Sequence, residues 1–146
     1  MKLAAKARMA VTGMADLAAF GGGAPVPLSA IAERQNLSLS FLEQIFAKLR
    51  RAGLVESKRG ATGGYVMARD PRQVSLAEIV AAVEEEVRTT ACQKGTDIGC
   101  TGTTARCLTH ALWRDLDSHI DDWLTSKTLA DVGVPMIPPV REEASA

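Results

Sequence analysis

The stretch from Leu28 to Met67 constrains the fold of this chain more than any other part of it. Leu28 to Gln35 reads as a short helix that buries Leu28, Ile31 and Ala32, and Asn36-Leu37 reads as a tight turn. A second helix begins near Ser38 and runs to Ala52, with Gly53 as its C-cap; Leu42, Ile45, Phe46 and Leu49 fall on one helical face and point to a core. The opposite face carries Ser40, Glu43, Gln44, Ala47, Lys48 and Arg51. Two helices joined by so short a turn, the second with a polar and basic outer face, predict a helix-turn-helix. Two β-type runs follow, Leu54 to Lys58 and Tyr65 to Ala68, joined by the glycine-rich Arg59-Gly60-Ala61-Thr62-Gly63-Gly64. A hairpin in that position is a wing. The glycine-rich loop lacks the Lys-Ser/Thr ending of a phosphate-binding loop and no helix follows it, so phosphate cradling is set aside.

The flanks complete a mainly α fold. Ala4 to Phe20 predicts a first helix with Met9, Val11, Met14, Leu17, Ala18 and Phe20 on its apolar side, stopped by Gly21-Gly22-Gly23. Pro25 and Pro27 bracket the connection onward. After Asp70-Pro71, Ser75-Leu76-Ala77-Glu78 is a capping box that opens a helix to about Val87. A loop from Thr89 to Thr103 leads to a long helix from about Thr104 to Ser126. The stripe Leu108, Leu112, Leu116, Ile120, Trp123 and Leu124 on that helix needs a partner, and the same helix of a second subunit is the expected one, giving a two-fold homodimer. The expected organisation is a winged helix-turn-helix DNA-binding domain over residues 1–70, then a capping helix, a loop (89–110) and a long C-terminal dimerisation helix over 71–133. Thr128 to Val132 predicts a short final helix, and the proline-rich 134–146 a disordered tail.

Size and composition narrow the classes further. A chain of 146 residues with 47% apolar content supports one ordinary domain with an appended arm. No run of eighteen apolar residues predicts a membrane span. The basic N-terminus lacks a secretory apolar stretch, which predicts a cytoplasmic protein in which three thiols stay reduced. Net charge is zero, yet residues 1–70 carry ten Lys/Arg against five Asp/Glu and residues 71–146 carry seven against twelve. The winged half is therefore the one suited to a polyanion.

On double-stranded DNA, the amino-terminal part of the second helix of the motif enters the major groove. Ser38 and Ser40 are placed for phosphates or bases, Gln44 for two-pronged bonding to adenine, and Glu43 for the amino group of cytosine. Lys48, Arg50 and Arg51, with Lys6 and Arg8 on the first helix, steady the backbone, and Arg59 at the wing tip reaches the minor groove. Each residue alone has a duller role, since Ser40 and Glu43 also fit a capping box and the cations also suit solvated positions. The ordered set on the basic half is what points to DNA.

A second feature stands outside this motif. Cys92, Cys100, Cys107 and His110 lie within nineteen residues, and the chain has no other cysteine. Thiolates and imidazole hold zinc or iron–sulfur clusters. Cys107 and His110, three apart in a segment read as helix, are expected on one face. Structural zinc uses Cys₃His sets but prefers a close cysteine pair, whereas the gaps here are seven, six and two residues. The spacing favours a larger object such as a 2Fe–2S cluster and leaves zinc open.

These residues carry a resemblance. Cys107-Leu108-Thr109-His110-Ala111-Leu112-Trp113-Arg114-Asp115-Leu116, Pro25-Val26-Pro27-Leu28, Leu42-Glu43-Gln44 and the Arg59-Gly60 to Gly63-Gly64-Tyr65 wing resemble the iron–sulfur regulators of the Rrf family of winged helix-turn-helix proteins. The similarity runs from residue 1 to about 133. It implies homodimers with a long dimerisation helix and a 2Fe–2S cluster on Cys92, Cys100, Cys107 and His110, delivered by the iron–sulfur assembly machinery. It implies that the loaded form represses cluster-assembly genes, and that Glu43 discriminates between promoter classes. Departures are the longer cysteine gaps, Met9 in place of an aromatic residue, and Ala4 and Ala5 in place of polar ones. Relatives with three cysteines and no equivalent histidine respond to iron or nitric oxide through 4Fe–4S clusters, and His110 argues for the 2Fe–2S type. A cluster carrier that never touches DNA is the alternative from another class, and the basic winged half argues against it. An enzyme is not expected: there is no Ser/His/Asp or paired-carboxylate constellation, and His119 sits on the long helix.

Overall fold

The computed structural model describes residues 5–83 and 108–132. Among the described residues, five helices and one hairpin follow in order: α1 (Ala5–Phe20), α2 (Leu28–Gln35), α3 (Leu39–Arg51), β1 (Val55–Lys58), β2 (Gly64–Met67), α4 (Leu76–Ala82) and α5 (His110–Ser126). Single 3-10 turns sit at Pro71–Gln73 and Leu129–Asp131, the latter where a short final helix is expected. The fold is a winged helix-turn-helix with a long helix appended. Among the described residues, no helix is long and apolar enough to cross a membrane.

The turn between α2 and α3 works because Asn36 adopts φ 52°, ψ 53°, the left-handed region that asparagine tolerates better than most residues. The next residues start α3 at once. Ser38 is its N-cap, with Oγ accepting from the Phe41 amide at 3.4 Å. The alternative capping box on Ser40 and Glu43 is thereby replaced: Ser38 holds the cap position, which leaves Ser40 and Glu43 exposed on the helix surface.

The core lies where α1, α3 and the wing converge. Met14 and Leu17 from α1, Ile31 from α2, and Leu42, Ile45, Phe46 and Leu49 from α3 are buried together with Leu54, Val55 and Ile79. Phe46 meets Tyr65 of β2 edge to face, with ring centroids 5.1 Å apart. Gly13 permits the approach of α1, because a Cβ there would stand 2.8 Å from Cε2 of Phe46.

The wing is a two-stranded antiparallel ladder pairing Val55 with Met67 and Lys58 with Gly64. Val26, just before α2, adds a bridge to its far side through paired 2.9 Å bonds with Tyr65. Gly64 makes that bridge possible. Its φ is +157°, and a Cβ there would lie 2.3 Å from the Val26 carbonyl carbon and oxygen. The hairpin thus fastens to the segment that launches the helix-turn-helix.

Below the wing, Arg72 holds the Asp70 carboxyl down to about 2 from its ordinary 3.8 through side-chain and backbone hydrogen bonds. The expected capping box at Ser75 is present: the Glu78 amide donates to Ser75 Oγ at 3.1 Å, and the Ser75 amide to Glu78 Oε2 at 2.9 Å. That amide bond, and then Arg69, hold the Glu78 carboxyl below its usual range. Helix α4 runs from Leu76 to Ala82 with Val83 at its C-cap, and the remainder of the expected helix, to Val87, lies outside the described residues. Helix α5 starts at His110, later than the expected Thr104, with Thr109 as its N-cap. Its C-terminal end is tied to the start of α4: Leu76 N–H donates to Lys127 O at 2.9 Å and Leu129 N–H to Val74 O at 2.8 Å.

Two sets of variants check this packing by urea unfolding at fixed protein concentration. Gly64→Ala is expected to cost about 3 kcal/mol, through the backbone clash as well as the dihedral. Gly53→Ala, at φ +76° but with nothing within 4 Å of its Cβ, is expected to cost only about 1 kcal/mol. Equal losses at the two sites would refute the close-approach account of Gly64.

Candidate nucleic-acid interface and metal centre

The outer face of α3 is built as the sequence suggests. With Leu42, Ile45, Phe46 and Leu49 buried, the 3.6-residue period turns Ser40, Glu43, Gln44, Arg50 and Arg51 outward, all exposed, with Lys48 half-buried beside them. Ser38 and Ser40 lie at the amino end, their hydroxyl oxygens 3.2 Å apart. Lys6 and Arg8 are exposed on α1, and Arg59 is exposed in the loop between the strands of the wing. Every residue proposed for DNA is thus solvent-facing or nearly so, on α1, on α3 and at the wing tip.

One element of this surface is absent from the sequence reading. Asp16, on the inner side of α1, has a fully buried side chain, and three hydrogen bonds reach it from α2. Arg34 Nη2 donates to Oδ1 at 2.7 Å and Nε to Oδ2 at 3.0 Å; Gln35 Nε2 donates to Oδ2 at 2.8 Å. The Arg34 guanidinium also lies 4.9 Å from the centre of the Phe20 ring. The bond to Asp16 holds Arg34 still more firmly protonated than usual. This two-pronged pair fixes α2 against α1, and thereby sets how α3 is presented. The signal was legible as a lone acid on an otherwise apolar helix side, between Met14 and Leu17, but its partner lies eighteen residues away. Arg34→Ala, which leaves the buried carboxylate with Gln35 alone, is expected to destabilise by about 3 kcal/mol; Asp16→Asn, which leaves a half-exposed guanidinium to water, by about half as much. Urea midpoints in the reverse order would overturn the account.

Of the four candidate metal ligands, Cys92, Cys100 and Cys107 lie outside the described residues, and His110 lies within them as the half-buried first residue of α5. The expectation that Cys107 and His110 leave one helix face involves Cys107 and so lies outside the described residues; Leu108 and Thr109 form a turn and the helix begins at His110. Thr109 suits that boundary as a hydroxyl residue at an N-cap, although its side chain makes no capping hydrogen bond there and its hydroxyl accepts from the Trp113 indole at 2.9 Å. Among the described residues, no group of three or more His, Cys, Asp or Glu side chains could hold a metal. His119, one turn from Asp115 at 3.6 Å, is exposed and forms no such cluster. Three thiolates and one imidazole fit a cluster by donor chemistry.

The rest of α5 faces outward. No residue of it is fully buried; Leu112, Trp113 and Trp123 are 61, 40 and 56% exposed, and Leu108 just before it is wholly so. Leu116, Ile120 and Leu124 are half-buried, and Leu124 packs against the core. The apolar stripe is therefore split, its inner edge against the body of the subunit and its outer edge open.

Comparison with known proteins agrees with this architecture. The model of the Rrf2 family, described as an iron-dependent transcriptional regulator, matches residues 3–134. The HTH-type transcriptional regulator IscR of Vibrio vulnificus (strain YJ016) is 52% identical over 132 residues, spanning 90% of this chain and 77% of that one. IscR of Cronobacter sakazakii is 48% identical over 133 residues, spanning 90% and 80%. Among solved structures, T. potens IscR superimposes with a TM-score of 0.72 at 38% identity over 90% of this chain and 85% of that one. CymR, the global cysteine regulator of B. subtilis, does so with 0.73 at 32% identity over 90% and 95%. With its exposed recognition helix, basic wing and matching relatives, the chain belongs to the Rrf2 family and is a DNA-binding transcriptional regulator, not an enzyme.

Proposed function

We propose that this regulator represses iron–sulfur cluster assembly genes and that its grip on the operator depends on a 2Fe–2S cluster held by Cys92, Cys100, Cys107 and His110. The observation that carries the reading is the conjunction of three cysteines and a histidine within nineteen residues with about half identity to IscR regulators. Bound there, the cluster supplies a dissociable, redox-active centre. One neutral imidazole among three thiolates makes a labile ligand set, which suits a sensor loaded by the iron–sulfur assembly machinery in the cytoplasm. His110 belongs to this set as the residue that opens α5, so ligand binding and the start of the long helix share one position.

The working unit is a homodimer that pairs α5 with the α5 of a second copy. Support comes from Leu112, Trp113 and Trp123, large apolar side chains standing in solvent along one helix. A two-fold pairing presents two recognition helices to half-sites one helical turn apart, or a multiple of it. In this division, residues 1–70 bind DNA, 71–133 carry the cluster and the dimer contact, and 134–146 form a tail. On the DNA, Gln44 and Glu43 read bases, Ser38 and Ser40 meet bases or phosphates, and Lys6, Arg8, Lys48, Arg50, Arg51 and Arg59 meet the backbone and minor groove. Glu43 sets the choice between promoter classes.

Purified without oxygen, the protein is expected to be reddish, with iron and sulfide in equal amounts. Alanine at Cys92, Cys100 or Cys107 is expected to bleach it. A colourless wild-type protein with stoichiometric zinc would replace the cluster assignment by a structural metal. On duplexes, Gln44→Ala should lose affinity for the upstream region of its own gene far more than for random DNA. Arg51→Ala should lose both alike and lower the slope of log affinity against log salt by about 1. Equal loss on both duplexes for Gln44→Ala would contradict base reading.

A further inference from the structure

The recognition helix also carries an apolar residue that the core does not use. We propose that Leu39 reads sequence, its side chain meeting the 5-methyl group of a thymine in the major groove and giving the operator a preference for that base at one position. The proposal rests on α3 being the helix that enters the groove.

Leu39 is the first residue of α3 and is 40% exposed, although its apolar neighbours Leu37, Phe41 and Leu42 all pack on or in the core. The residues that flank the Ser38 cap and conventionally fix how the chain enters a helix are Leu37 and Leu42, so Leu39 is not required for that task. Its place on the helix is more telling. Leu39 lies one turn before Glu43, as Ser40 lies one turn before Gln44, so all four share the outward face. Of these four, Leu39 alone is apolar. The amino-terminal turn is also ordered: Ser38 Oγ accepts from the Phe41 amide and lies against Ser40 Oγ, which fixes the backbone carrying Leu39. Amino-terminal residues of a recognition helix are the ones that reach base edges. In the major groove, the thymine methyl is the distinctive apolar group. An exposed leucine between two groove-facing serines matches it in chemistry and in place.

The test uses the full chain, loaded without oxygen, on duplexes selected from a random library. Each thymine of the selected site is then replaced by deoxyuridine, which removes the methyl group and leaves pairing intact. The wild type is expected to lose roughly four-fold in affinity at one position of each half-site, the worth of one methyl group moved out of water. Leu39→Ala should bind the methyl-free duplex as well as the methylated one, and Leu39→Met should restore the discrimination. Thermal unfolding of both variants should match the wild type, since the side chain is outside the core. Retention of the full thymine effect by Leu39→Ala, or no effect of any deoxyuridine on the wild type, overturns the proposal. Gln44→Ala, run on the same library, separates the two levels. If it alters base preference while Leu39→Ala does not, the groove-binding helix stands and Leu39 falls; if neither alters it, the reading of α3 falls as well.

Discussion

The ring of Phe46 sits at the point on which the rest of this fold turns. It projects from α3, closes against α1 at a glycine where no side chain would fit, and meets Tyr65 of the wing edge to face. Tyr65 is in turn bonded through its backbone to Val26, which precedes α2. One buried aromatic contact therefore couples the recognition helix, the scaffold helix beneath it and the hairpin beside it. Its rigidity is of the kind close packing provides, since an interior at crystal-like density transmits displacement instead of absorbing it. The Asp16–Arg34–Gln35 linkage supplements this contact with direction. Hydrogen bonds of fixed geometry orient α2, which hydrophobic burial alone leaves free to slide.

Much of this organisation was legible in the chain. The helix-turn-helix emerges from the spacing of Leu42, Ile45, Phe46 and Leu49 and from the brevity of Asn36-Leu37, because local periodicity is what determines amphipathic helices. The Ser75–Glu78 capping box is equally local, and both oxygens are where the motif requires them. What the sequence did not reveal depends on contacts remote along the chain. Asp16 is a single acid on an apolar side of α1, and its partner Arg34 approaches from another helix, eighteen residues on. Gly64 looked like loop punctuation, yet its lack of a side chain serves a contact with Val26, thirty-eight positions earlier in the numbering. The start of α5 was misplaced because its stripe of leucines extends past the true boundary. Leu108 keeps the spacing but stands wholly exposed in a turn.

Fold and signal separate cleanly in this family. Comparable superposition is found with T. potens IscR and with a global cysteine regulator of B. subtilis. The scaffold that presents α3 is thus shared with a protein named as a cysteine regulator as well as with an IscR, and the fold alone does not specify the input. In the sequence of this chain, the group that stands apart from the winged half is Cys92, Cys100, Cys107 and His110, the last of which opens α5. The DNA-reading face is the product of a common architecture, and the proposed cluster ligands lie outside that face in the sequence.

The distribution of chromophores follows from the same partition. Both tryptophans of the chain lie on α5, each in contact with solvent, while the winged half holds the single tyrosine. Tryptophan emission from this protein accordingly originates on one helix and is silent about the rest. Its wavelength is a native gauge of whether the outer edge of that helix is wet or covered, with no label required.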